Sequence, residues 1–346
     1  MMRTSVDAQR TDQTLSQEGP HGQIRKPIAI TMGDPAGIGP EIILRALARA
    51  PEIGLEGPFV VYGCPGWMKA VARRLGLNTG LLEVVPCAEV PEDLPVGQVS
   101  AAGGEAAFQS VYRAAQDAMA GKVRAVVTAP LSKAAMNLAG HVYPGHTEIL
   151  AEVGGNVPVR MMLANEELRT VLVSIHVPLK VAVSSLSTGG IVETIRLTDA
   201  FLRMTGIQAP RIAVAGINPH AGEDGLLGDE EIHVIGPAVQ AARAQGIDAS
   251  GPWPPDTVFM RARGFAEFDV VIAMYHDQGL IPVKYLGVDE GVNLTVGLPF
   301  VRTSPDHGTA FDIAGKGIAQ PNSLLAAMRM AERLSGKAKD PRLIEG

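Results

Sequence analysis

Between Ala273 and Asp312 the chain sets His276, Asp277, Lys284, Asn293, Arg302, His307 and Asp312 among apolar residues and glycines. Each of these groups costs free energy when buried without a partner. The stretch is therefore either a solvated loop region or the lining of a polar site. Imidazoles and carboxylates bind divalent ions and move protons, while ammonium and guanidinium groups hold phosphate or carboxylate.

Three histidines repeat one design. VLVSIH ends at His176, IAVAGINPH at His220 and VVIAMYH at His276. Each apolar, β-branched-rich run reads as a central parallel strand, with its histidine at or just past the carboxyl end, the edge where open α/β sheets bind ligands. A single histidine in such a place is ordinarily a hydrogen-bonded structural residue. Three of them suit a borderline divalent ion such as zinc, cobalt or manganese, because three protein ligands leave a position open for water or substrate. His21, His141 and His233 have no such context.

Other candidates have two readings each. Asp256 sits in the Pro-rich GPWPPDTVF, and Asp277 directly follows His276. Such carboxylates orient an imidazole or act as a general base; in turn chemistry Asp256 would have neither role. His146 and Thr147 open a helix in GHTEILAE, where Thr147 is the expected N-cap; the same geometry binds phosphate or carboxylate. Lys133, just beyond AVVTAP, is a substrate anchor or a solvated surface lysine.

The elements that must position these residues alternate. PIAITMGDPAGIGPEIILRALA runs from a strand through a Gly/Pro loop into a helix. Gly33, Gly37 and Gly39 would let the backbone approach a ligand, and the helix start favours an anion, although a plain βα turn gives the same pattern. FVVYG (59–63) and AVVTAP (125–130) read as strands, WMKAVARRLG and residues 104–122 as helices. This alternation predicts a mostly parallel sheet. At 346 residues and 46% hydrophobic content, two domains sharing a cleft are expected.

Composition narrows the function classes. Charged residues make up 19% and the net charge is −6, which excludes an extended basic surface for nucleic acid. No run approaches the roughly 18 apolar residues of a membrane span. Cys64 and Cys87 form no CxxC pair, so a reduced cytoplasm is the expected setting. Residues 1–26 are polar and are expected to be a disordered extension.

The motifs TMGDPAGIGPE, GHTE, SIHVPL, NPHAGE, YHDQGLIPVKY and GVNLTVGLPFVRTSPDHGTA, in that order over residues from about 27 to about 330, resemble the 4-hydroxythreonine-4-phosphate dehydrogenase family of vitamin B6 biosynthesis. The resemblance implies NAD(P)-dependent oxidation of 4-phosphooxy-L-threonine at C3, followed by loss of carbon dioxide, with one divalent ion (zinc, magnesium, cobalt or manganese). It assigns His176, His220 and His276 to the metal and His146, Thr147, Lys284, Asn293 and Arg302 to the substrate. It also implies a homodimer whose active site is shared across the interface, one metal histidine coming from the partner chain. Asp256, Asp277 and Lys133 are the candidates for the catalytic base.

Two segments also resemble the isocitrate and isopropylmalate dehydrogenases. GDPAGIGPE is similar to their GDGIGPE, and HGTAFDIAGKGIAQP (307–321) to their cofactor loop HGSAPDIAGKGIANP. This implies a two-domain α/β/α fold of mostly parallel sheets, with the active site in the interdomain cleft. One domain would hold residues 27–130 with 295–346; the other, 131–294, would hold the metal and substrate groups and the dimer contact. His307, Gly308, Thr309 and Asp312, with Gly33 and Asp34, fall on the cofactor side. A carboxylate at Asp312 would accept hydrogen bonds from ribose hydroxyls and repel the 2′-phosphate of NADP, so NAD is expected over NADP. The rival readings are a sister dehydrogenase for 4-phospho-threonate or 4-phospho-erythronate, an acyl or phosphoacyl transferase on the same fold, and a non-catalytic metabolite-binding protein.

Overall fold

The computed structural model describes residues 17–18, 24–287 and 290–336. Apart from 17–18 and 24–26, the expected extension over residues 1–26 lies outside the described residues. The described residues up to Asn156, with Phe300–Glu332, form one compact unit; Val157–Pro299, with the described residues from Arg333 on, form a second.

The apolar runs become short strands: β1 (Ile28–Thr31), β2 (Phe59–Gly63), β3 (Val84–Pro86), β4 (Ala125–Thr128), β5 (Arg160–Ala164), β6 (Arg169–Leu172), β7 (Ile212–Ala215), β8 (Ala249–Trp253), β9 (Val270–Ala273), β10 (Val292–Val296) and β11 (Val301–Pro305). In the first unit the order is β11-β4-β1-β2-β3, and every neighbouring pair is parallel. Ile28, Ala29, Ile30, Val126 and Val127 are wholly buried, as expected of parallel strands covered on both faces. In the second unit the order is β8-β7-β9-β6-β5-β10; the first four strands are mutually parallel, and β5 runs antiparallel to both β6 and β10. Leu172, Ala213, Val271, Leu280 and Val283 belong to the buried core of that unit.

Local chemistry fixes the helix that flanks β4. Residues 104–122 were expected to be helical, and the helix is Ala101–Met119, because Ser100 Oγ accepts the Gly103 amide (3.1 Å) and caps it earlier. At Gly104 a Cβ would lie 2.0 Å from the Ala135 carbonyl oxygen. Only glycine lets the helix Lys133–Leu138, which begins with Lys133, pack backbone-close against it.

Candidate active site

The three histidines reach the same edge. β7, β9 and β6 are adjacent and parallel, so their carboxyl ends lie together. The strands stop sooner than the sequence patterns run, at Leu172, Ala215 and Ala273, which leaves His176, His220 and His276 in the segments just beyond. The His176 and His276 ring centroids are 5.6 Å apart. His276 Nδ1 lies 2.8 Å from Asp277 Oδ1. A carboxylate only accepts, so Nδ1–H donates and Nε2 keeps its lone pair for an ion. Among the described residues, no three His, Cys, Asp or Glu side chains stand close enough together to hold an ion within one chain.

Two groups that the motif reading did not single out organise this edge. Gln278 Nε2 donates to the Gly216 carbonyl (2.8 Å) and its Oε1 accepts the Met274 amide (2.7 Å), tying the segment after β7 to the one after β9. Glu231, 4% exposed, accepts the amides of Ile217 (2.7 Å) and Asn218 (2.8 Å) on Oε1 and the Asn218 side-chain amide (2.9 Å) on Oε2. Between them runs an unusual turn. His220, Ala221, Glu223 and Asp224 all have φ between 45° and 55°, with Gly222 at 82°. Left-handed geometry costs a non-glycine residue on the order of 1–2 kcal/mol, so the surroundings must hold this turn in place.

His220, Asp256, Asp277 and Gln278 line one open groove of about 750 Å³, walled by Phe259, Met260, Ile281 and Pro282. The structure thus gathers two of the three candidate bases beside a candidate metal ligand. Lys284 lies later in the helix His276–Leu286, and Asn293 lies on β10 opposite Leu163; both side chains are partly buried.

The first unit holds a separate cluster. Thr128, Lys133, Gly145, His146, Ser304, His307 and Gly308 line a pocket of about 140 Å³. Its anchors sit on strand ends and a helix start: Arg302 on β11, Thr128 at the end of β4, and His146 as the first residue of the helix His146–Val153. The Arg302 guanidinium, 3% exposed, donates to Thr128 Oγ1 at 2.6 and 3.1 Å. Burial lowers its pKa to about 10, with Glu148 opposing the shift, so it stays a cation at neutral pH. The His146 ring, partly in contact with solvent, points Nε2 at the Ala129 carbonyl (3.2 Å). Burial first, then the Arg302 and Lys133 charges, push its pKa down to about 3, so it is neutral. A neutral imidazole beside a buried guanidinium and an exposed lysine makes a site for an anion.

The expected Thr147 cap is not found. The N-cap is Gly145, with no side-chain cap bond, which puts Thr147 inside the first turn. The backbone amides that open the helix are therefore not capped by this hydroxyl.

The glycine loop packs against its own chain. A Cβ at Gly33 would meet the Pro130 carbonyl at 2.3 Å, one at Gly39 the Met32 carbonyl at 2.5 Å, and one at Gly37 the Thr309 carbonyl at 2.9 Å. Residues 31–40 are all buried. The loop cradles the segment from His307 to Asp312: the Ile38 amide donates to Thr309 O (3.0 Å), and a Cβ at Gly97 would meet Phe311 O at 2.8 Å. Further along, Glu41 Oε1 accepts the Ala319 amide (3.1 Å) and Arg45 donates to Gly317 O (2.6 Å). His307, Gly308 and Asp312 are exposed; Asp34 is wholly buried. Its Oδ1 accepts the Ala36 amide (2.9 Å), Oδ2 has no partner among the described residues, and burial raises its pKa to about 6.

Comparison with known proteins adds a second line of observation. Residues 63–331 match the family described as pyridoxal phosphate biosynthetic protein PdxA. The 4-hydroxythreonine-4-phosphate dehydrogenase of Beijerinckia indica is 52% identical over 89% of this chain and 95% of its own length. The D-threonate 4-phosphate dehydrogenase of Salmonella typhimurium is 47% identical over 90% of this chain and 99% of its own. A crystal structure of 4-hydroxythreonine-4-phosphate dehydrogenase from Klebsiella pneumoniae superposes with a TM-score of 0.83 at 44% identity, covering 89% of this chain and 99% of that one.

Proposed function

The chain belongs to the PdxA family of pyridoxal phosphate biosynthetic proteins, and on that premise we propose that it oxidises 4-phosphooxy-L-threonine at C3 with a nicotinamide cofactor. The 3-oxo acid then loses carbon dioxide and leaves 3-amino-2-oxopropyl phosphate. The observation that carries this reading is the delivery of His176, His220 and His276 to one sheet edge by three neighbouring parallel strands.

That donor set fits a divalent ion. The His176 and His276 rings are neighbours, and the Asp277 carboxylate turns Nε2 of His276 outward from its own contact. Imidazoles favour zinc, cobalt or manganese over magnesium, which prefers oxygen ligands. When bound, the ion would supply Lewis-acid polarisation of the substrate hydroxyl. The reading includes a homodimer in which one histidine comes from the partner chain. In its support, Met260 and Ile281, 73% and 62% exposed, line the same groove as His220, and exposed apolar side chains in such a setting mark an interface.

The chain's own groups have distinct tasks in this reading. Arg302, with His146 and Thr147, holds the phosphate or carboxylate by charge-assisted hydrogen bonds, and Lys284 and Asn293 complete the substrate contacts. Asp277 is committed to His276, which leaves Asp256 and Lys133 to take the hydroxyl proton. His307, Gly308, Thr309 and Asp312, on the support of Gly33 and Asp34, face the cofactor, and the Asp312 carboxylate favours NAD over NADP. Cys64 and Cys87 are both free thiols and no described helix is long and apolar enough to cross a membrane, which supports a cytoplasmic setting.

NADH formation from 4-phosphooxy-L-threonine tests the reading. We expect the absorbance at the NADH band to rise with NAD, to disappear after exhaustive chelation and to return with Co2+ or Zn2+. Full turnover by metal-free protein, or a clear NADP preference in kcat/KM, would contradict it. The name of the Salmonella relative favours a second substrate, D-threonate 4-phosphate.

A further inference from the structure

We propose that Glu231 is the positioning residue for His220: its buried carboxylate grips the base of the left-handed turn and so sets where the imidazole stands. The inference rests on the reading of His176, His220 and His276 as ion ligands.

The turn itself gives the reason. Four residues without glycine's freedom, His220, Ala221, Glu223 and Asp224, hold left-handed geometry on either side of Gly222, while the Ala221 amide reaches back to Asn218 O (3.1 Å) and the Leu227 amide to Gly222 O (3.0 Å). Local bonds of this kind close a turn but do not choose its hand. The choice is made at its base, where Glu231 binds two successive amides with one oxygen and the Asn218 side chain with the other. Glu230 also accepts from Asn218 Nδ2, at 2.6 Å.

The space is shaped for that carboxylate. A Cβ at Gly216 would lie 2.9 Å from Glu231 Oε1, one at Gly222 2.8 Å from Oε2, and one at Gly228 2.3 Å from Asn218 Nδ2. Three glycines thus wall the contact, and all the partners are donors. A carboxylate accepts on both oxygens, whereas an amide in its place would set an N–H against another donor. Groups that orient a ligand-bearing element without touching the ion commonly change metal affinity tenfold to a hundredfold.

The test is Co2+ titration by calorimetry of the full-length apo protein, with amide hydrogen exchange across residues 217–226 measured in parallel. For Glu231→Ala we expect Co2+ affinity to fall about tenfold to a hundredfold and exchange in 217–226 to quicken at least about tenfold, while β7 exchanges as before. Glu231→Gln, which keeps the volume, should lie between it and the unmodified protein, and it carries the test if the alanine variant does not fold. Unchanged Co2+ affinity in both variants, with His276→Ala losing it, overturns the positioning role and leaves the ion reading standing. If the unmodified protein takes up no Co2+, the ion reading fails. In that case quickened exchange keeps Glu231 as the holder of the turn, and unchanged exchange removes that as well.

Discussion

Asp34 and His146 pull stability in opposite directions as pH changes. Burial raises the Asp34 carboxyl from 3.8 to about 6, so between those values the folded chain holds a proton that the unfolded chain has released. Stability therefore falls as pH rises through that window. His146 is pushed from 6.5 down to about 3 by burial and by the Arg302 and Lys133 charges. Between those values the unfolded chain binds a proton that the folded chain does not, so stability rises with pH there. We expect Asp34→Asn, which keeps the Oδ1 acceptor for Ala36, to gain up to about 3 kcal/mol at pH 8 and almost nothing below pH 4. His146→Asn should flatten the loss of stability on acidification from pH 6.5. Urea midpoints measured across pH 4 to 8 decide both, and a net destabilisation of Asp34→Asn at pH 8 would contradict the assignment. Residue types were legible where pattern alone exposes them, as with His176, His220 and His276 after their apolar runs. The partners were not: nothing in the sequence puts Thr128 under Arg302, 174 positions away, or Glu231 under Ile217 and Asn218, which meet only once the left-handed turn between them has formed.

At the scale of elements, the strand and helix alternation could be read directly, since buried parallel strands are continuous apolar runs. One boundary moved because of a single local contact, Ser100 capping the helix before Gly103; another moved without any, the helix at His146 starting after Gly145 with no side-chain cap bond. The glycine loop has a reason within its own chain. Gly33, Gly37 and Gly39 are required by the chain's own carbonyls, and the loop seats the segment from His307 to Asp312 through the Ile38 amide and the Thr309 carbonyl. Gly97 makes the same kind of contact, with φ of 80° and Phe311 O at 2.8 Å from a built Cβ. We expect Gly97→Ala to raise KM for NAD severalfold and to cost roughly 1–3 kcal/mol. Gly54→Ala has a similar φ of 74° with nothing within 4 Å; it should cost stability alone. Equal NAD affinity in the two variants would remove Gly97 from the cofactor support.

At the scale of the molecule, the chain divides its candidate chemistry between two compact units. One contains Lys133, His146, Arg302 and the segment from His307 to Asp312; the other contains the three histidines, Asp256, Asp277, Lys284 and Asn293. The fold class and the family were both legible because the motifs run through nearly the whole chain. The unit boundaries at Asn156 and Phe300 depend on packing between distant segments, to which motif spacing is blind. What the family leaves open is the substrate, since relatives of 52% and 47% identity carry different substrate names. The decisive measurement is kcat/KM with NAD and a bound divalent ion for 4-phosphooxy-L-threonine, D-threonate 4-phosphate and unphosphorylated 4-hydroxy-L-threonine. The account predicts the highest value for 4-phosphooxy-L-threonine and a loss of at least about a hundredfold without the phosphate that Arg302 and His146 would hold. A higher value for D-threonate 4-phosphate, or equal turnover without the phosphate, would contradict it.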